Sequence, residues 1–127
     1  MCTAIHVLIR SYTHFQGPVL MRLHWLPIKS RINYKLCLKM HLIHTNQRPD
    51  YMADMVTLNA ACSSRPGLRS ASHFLYRKPA LKTKFSERAF SYAGPAAWNN
   101  LPEYIQMELN TSRFKKLLKT YLFRSSF

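Results

Sequence analysis

Two stretches of this chain repeat their apolar residues at helical spacing, and the residues between them largely do not. Near the end of the chain, Phe114, Leu117, Leu118, Tyr121 and Leu122 recur at i, i+3, i+4, i+7 and i+8, while Arg113, Lys115, Lys116 and Lys119 take the other side. Thr111 or Ser112 stands where the first turn needs a cap, and Lys119 and Arg124 suit the negative end of the helix dipole. The pattern predicts a helix over 112–124, docked by Phe114, Leu118 and Leu122 on a core that includes Trp98. The other stretch, 28–44, contains no Gly or Pro and predicts the longest helix. Ile28, Ile32, Leu36, Met40 and Ile43 form one apolar row; Arg31, Lys35 and Lys39 lie four apart beside it; Tyr34, Leu38 and Leu42 are apolar again beyond. Such a helix either packs on two sides with its basic heads reaching out to water, or turns its basic row to an anion.

Shorter elements follow from punctuation. Residues 19–25 predict a short helix stopping before Pro27, because the residue before a proline disfavours helical backbone. Pro49, near a first helical position, opens another that runs to about Val56. Ser86 with Arg88-Ala89 begins a helix carrying Phe90, Ala93, Ala97 and Trp98, with a Gly94-Pro95 pair able to break it in two. The aromatic and alternating segments 74–77 and 81–85, around Lys78-Pro79-Ala80, predict a small β-hairpin. Residues 59–73 read as a loop, 13–18 as a turn, and 2–10 as the end of a helix begun upstream, as in a fragment. There is no internal repeat. The fold class expected over 1–127 is mainly α with one short β-hairpin, a small irregular helical domain or a fragment of one.

Composition adds a partner to this picture. At 127 residues the chain can bury roughly two-thirds of its unfolded surface, and 47% hydrophobic with 13% aromatic content argues against disorder. Against 19 Lys and Arg stand 5 Asp and Glu, a net charge of +14 and a pI near 10.2. Self-repulsion of that size asks for an anionic partner, nucleic acid first and anionic membrane second. No stretch approaches the roughly 18 apolar residues of a membrane span, and no secretory signal opens the chain. Three cysteines without a CxxC pair read as reduced thiols. The expected location is therefore intracellular, nuclear or cytoplasmic, with no membrane partner. Asn110-Thr111-Ser112, a glycosylation sequon by pattern, reads instead as a helix cap.

The chemistry the residues can support is narrow. A polymerase needs paired carboxylates to hold two metal ions. The only aspartates, Asp50 and Asp54, stand four apart, and Tyr51-Met52-Ala53-Asp54 lacks an adjacent second acid. They read as a helix surface. His41 and His44, with Cys37 a turn earlier, have the spacing of a partial metal site, but no further ligand pair lies nearby. No metal or cofactor is assigned. His24 reads as a capping or packing residue. No Ser-His-Asp or Cys-His set can be assembled, and three isolated glycines at 17, 67 and 94 exclude a phosphate-cradling loop. What remains is basic and aromatic interleaving: Arg65, Arg69, Arg77, Lys78, Lys82 and Lys84 around Phe74, Tyr76 and Phe85. With Arg31, Lys35 and Lys39 on the long helix and Lys115, Lys116 and Lys119 on the last, these cations are the candidate nucleic-acid-binding residues. The aromatics, Trp25 and Trp98 included, are assigned to core packing.

Several blocks also carry a resemblance. Leu23-His24-Trp25-Leu26-Pro27-Ile28 runs on into Arg31-Ile32-Asn33-Tyr34-Lys35-Leu36. Leu68-Arg69-Ser70 follows, then Arg88-Ala89-Phe90-Ser91-Tyr92-Ala93-Gly94-Pro95, Trp98-Asn99-Asn100-Leu101-Pro102, and the aromatic-basic run from Phe114 to Phe123. In this order and spacing they resemble the C-terminal segment of LINE-type (non-LTR) retrotransposon reverse transcriptases, RNA-directed DNA polymerases, in the part that follows the polymerase core. The likeness covers about 2–127. It departs at Gln16-Gly17-Pro18, where the family usually has Ile-Thr-Pro, and at Phe85-Ser86-Glu87-Arg88, where the family often has Gly or Ser. The resemblance implies a region beyond the thumb that helps hold template RNA or target DNA, with the polymerase core as a further partner. The family's polymerase and endonuclease residues have no counterpart here, so no catalysis is implied. The alternative is a free-standing basic nucleic-acid-binding or protein-interaction module. An intact or decayed polymerase frame encoded just upstream would separate the two.

Overall fold

The computed structural model describes residues 18–58 and 74–127. Its longest element is α1, Ile28–His44, over the bounds that its Gly- and Pro-free run predicts. There follow a single turn α2, Asp50–Ala53, a 3₁₀ turn at Ser86–Arg88, α3, Phe90–Asn99, a second short turn α4, Glu103–Gln106, and α5, Thr111–Ser126. Residues 18–22 form a helical turn ahead of α1. The predicted loop at 59–73 and the segments before 18 lie outside the described residues. The fold is mainly helical, as the periodicity implies.

Two helical segments end in the same way, with a non-glycine residue in the left-handed region. At the end of α1, Asn46 has φ 59°, its N–H donates to the Ile43 carbonyl, and the Gln47 N–H donates to Leu42. This closing motif satisfies two carbonyls that a helix end otherwise orphans, and Asn is the side chain after Gly that best tolerates the conformation. The turn at 18–22 closes likewise on His24, φ 51°, with His24 N–H to Met21 and Trp25 N–H to Leu20. That turn therefore stops short of the predicted Trp25. α5 is capped one residue earlier than predicted: the Asn110 carboxamide oxygen accepts from the Ser112 and Arg113 N–H groups at 3.0 and 3.2 Å. α2 ends before Val56, and Ser86–Arg88 is a separate 3₁₀ turn, not the start of α3. α3 is not broken at Gly94-Pro95. Pro95 forfeits one hydrogen bond, and the helix continues to Asn99.

α1 packs on both α3 and α5, and α4 closes against α5. The core is Cys37, Met40 and Ile43 from α1, Trp98 from α3, Ile105 from α4, Phe114, Leu118 and Leu122 from α5, with Leu26, Tyr76 and Leu101 from the connections. Gly94 sits where α1 and α3 touch: a Cβ there would lie 3.0 Å from the Met40 sulfur. Two of the five residues of the predicted α1 row are inside, and Leu36 is half-buried. Met40 and Ile43 are buried, but Ile28 and Ile32 are 74% and 55% exposed, and Cys37 and His41 complete the buried stripe instead. Two buried side-chain donors are held by backbone carbonyls. Gln106 Nε2 donates to the Trp98 and Leu101 carbonyls, covering the end of α3, and Trp98 Nε1 donates to Phe74 at 2.7 Å.

The predicted β-hairpin is absent. Its first segment is paired with other partners than 81–85. Asn99 offers its carboxamide to Tyr76 as a neighbouring strand would: Tyr76 N–H donates to Oδ1 at 3.0 Å and Nδ2 donates to the Tyr76 carbonyl at 2.8 Å. On the other side Tyr76 forms an isolated antiparallel bridge with Leu58, and the Arg77 N–H donates to Thr57. Residues 81–85 bend into the 3₁₀ turn with Phe85 79% exposed.

Candidate nucleic-acid interface

The left-handed backbone at His24 sets the geometry of the most structured basic site. It reverses the chain between the turn at 18–22 and α1, so that Leu26 points inward, buried, while Trp25 is left 57% exposed. The core assignment of Trp25 is thus wrong, while that of Trp98 holds. Pro27 keeps the backbone extended up to α1. Arg31, in the first turn of α1, donates from Nε to the Leu26 carbonyl at 2.7 Å and holds its guanidinium 5.6 Å over the Trp25 ring. α5 approaches from the other side. His24 stacks on Phe123 at 5.5 Å, and the Ser30 and Ser126 hydroxyls hydrogen-bond at 2.6 Å. His24, Trp25, Leu26, Arg31 and Lys119 enclose a shallow open cavity of about 300 Å³. No carboxylate lines it.

The other sequence-predicted cations are spread more widely. Lys39 lies 5.9 Å over the Phe90 ring and borders a separate cavity of about 430 Å³ with Arg48, Tyr51, Met52 and Met55. Arg77 borders a third, of about 320 Å³, with Thr57, Pro79 and Ser91. Lys35, Lys78, Lys82, Lys84, Lys115 and Lys116 are exposed side chains. Arg65 and Arg69 lie outside the described residues. Of the twelve, Arg31 and Lys119 are brought onto one cavity. Sequence reasoning missed His24 and Trp25 as its walls. It also missed Arg48, whose Nε and Nη1 are buried with no hydrogen-bond partner among the described residues.

The histidines of α1 belong to the core. His41 is fully buried, stacked 4.0 Å from the Phe114 ring, with Nε2 3.3 Å from the Thr111 hydroxyl. His44 sits among Phe74, Tyr76 and Trp98, its Nδ1 3.3 Å from the Tyr76 hydroxyl. The two imidazoles thus address different elements, and burial lowers the pKa of each. Burial pushes the Cys37 thiol up to about 12, which makes it a poor nucleophile at neutral pH. Among the described residues, no three His, Cys, Asp or Glu side chains converge as metal ligands, and no helix is long and apolar enough to cross a membrane.

Comparison of the chain with protein-family models, curated proteins and solved structures gives no match in any of the three.

Proposed function

We propose that this chain binds RNA or DNA through phosphate contacts, without catalysis of its own, as a retroelement-derived fragment akin to the C-terminal segment of a LINE-type reverse transcriptase. The observation that carries the reading is the charge imbalance joined to its geometry. At most five of the 19 cations can pair one-to-one with acids, and two of the remainder flank an exposed indole on an acid-free cavity. Phosphates neutralise such a surface, and the released counterions drive binding. The paired carboxylates of a polymerase are missing from the sequence, so its chemistry is not proposed.

Two assays test this reading. Charge reversal of the exposed Lys78, Lys82 and Lys84 together with Arg77 should remove most binding to RNA and duplex DNA; unchanged binding would count against it. Primer extension on an RNA template with magnesium or manganese should yield no product, and extension that survives repurification would contradict the absence of catalysis.

A second reading is favoured by the apolar side chains left outside. Val19, Met21, Leu23, Ile28 and Ile32 are each more than half exposed. Such a surface suits a protein partner, in a retroelement the polymerase core itself.

A further inference from the structure

We propose that the cavity between Trp25, Arg31 and Lys119 takes one unstacked base of a single-stranded nucleic acid, with the indole against the base and the two cations against its flanking phosphates. The proposal rests on the nucleic-acid reading and narrows it from any polyanion to single strands.

Several observations converge on this occupant. The indole is the largest aromatic face the chain can offer a base, and it is more than half exposed where Trp98 is fully buried. It is also held in place. The closing hydrogen bonds of the turn at 18–22 fix the backbone on its N-terminal side, and Arg31, tethered to Leu26, steadies the ring. An aromatic ordered before binding loses little entropy on stacking. The cavity is open, at about 300 Å³, with room for a base. Its charged walls are both cationic and come from different helices, so that a strand crossing from α1 to α5 meets a positive group on each side of the base. The cavity at Tyr51 offers less: Nε and Nη1 of Arg48 are out of solvent's reach there.

The single-strand preference follows from geometry. Inside a duplex each base face is covered by its neighbours, and apart from the two end pairs an indole reaches a face only where a base has left the stack. Phosphate density pulls the other way, because a duplex carries twice the charge of a single strand of equal length. A preference for the single strand cannot therefore come from charge alone.

The test compares a short oligouridylate with a blunt RNA duplex of equal length, using the whole chain and three variants, Trp25→Ala, Trp25→Phe and Lys119→Gln. Stacking is worth about 1–3 kcal/mol per base, so Trp25→Ala should weaken oligouridylate binding about 5- to 150-fold and leave duplex binding unchanged. Trp25→Phe should restore most of the loss, and Lys119→Gln should reduce the salt slope by about 0.7. Helical circular dichroism of the variants separates lost binding from lost folding. Emission of the unmodified chain gives a second readout: oligouridylate should quench the red-shifted emission of exposed Trp25 and spare the blue-shifted emission of buried Trp98. Salt-dependent binding to both nucleic acids, with neither quenching nor an effect of Trp25→Ala, overturns the base-stacking site and leaves the phosphate-binding reading standing. Absence of binding to either nucleic acid at low salt overturns both.

Discussion

At the scale of single residues, one dihedral angle separates the expected molecule from the observed one. His24 at φ 51° decides that Leu26 enters the core and Trp25 leaves it. From sequence, Trp25 is assigned to core packing with Trp98, and only Trp98 is buried. A positive φ at a residue other than Gly or Asn leaves almost no mark on composition. Both His24→Gly and His24→Val lose the stack on Phe123, but Gly adopts this backbone without strain, so His24→Gly should melt higher than His24→Val, whose branched Cβ resists the left-handed region. Equal melting temperatures for the two variants would remove the role given to that backbone. The buried imidazoles give a second expectation. Desolvation lowers the pKa of both His41 and His44 from 6.5, His44 adds repulsion at His41, and Glu108 opposes it weakly. The unfolded chain then binds more protons than the folded one in mildly acid solution. This contribution to stability is full above about pH 6.5 and is lost as pH falls from there through the lowered folded values. Thermal unfolding between pH 5 and 7.5 should show the loss, and His44→Phe should flatten it relative to the parent.

Among elements, helices with a strong period were legible and those set by partners were not. α1 matches its predicted bounds, and α5 docks through the predicted Phe114, Leu118 and Leu122 on Trp98. Its periodicity fixes which face is inside, whichever residue caps it. Leu118→Ala should cost about 2–5 kcal/mol, because the side chain is fully buried and the cavity left behind adds to the lost transfer energy. Asn110→Ala should cost about 0.5–2 kcal/mol by removing the cap, while Ser112→Ala, at an exposed position, should leave capping intact; the reverse order in urea melts would place the cap at Ser112. The hairpin was not legible, since what replaces it is a side chain. The Asn99 carboxamide pairs with Tyr76 across 23 positions of sequence, and no local propensity encodes such a contact. The exposed half of α1 was illegible for a similar reason. An apolar row shows that a face can be buried, and only the positions of α3 and α5 decide how much of it is.

For the molecule as a whole, two surfaces pull in different directions. A net charge of +14 keeps copies apart, while the exposed Ile28, Ile32 and Trp25 draw them together once that charge is screened or neutralised. Sedimentation of the purified chain without nucleic acid should show self-association at moderate salt, and a stable monomer there would favour the free-standing module over the fragment. The cationic side chains were legible as a charge balance, but not as a site. Only the meeting of the turn before α1 with α5 puts Arg31 and Lys119 on one cavity. The central claim is that phosphates hold the partner, and the salt dependence of binding tests it most directly. If about five phosphates are neutralised, the logarithm of the binding constant should fall against the logarithm of salt concentration with a slope of roughly −3.5 to −4.5, the shallower value for single strands. Binding that does not change with salt would contradict the account.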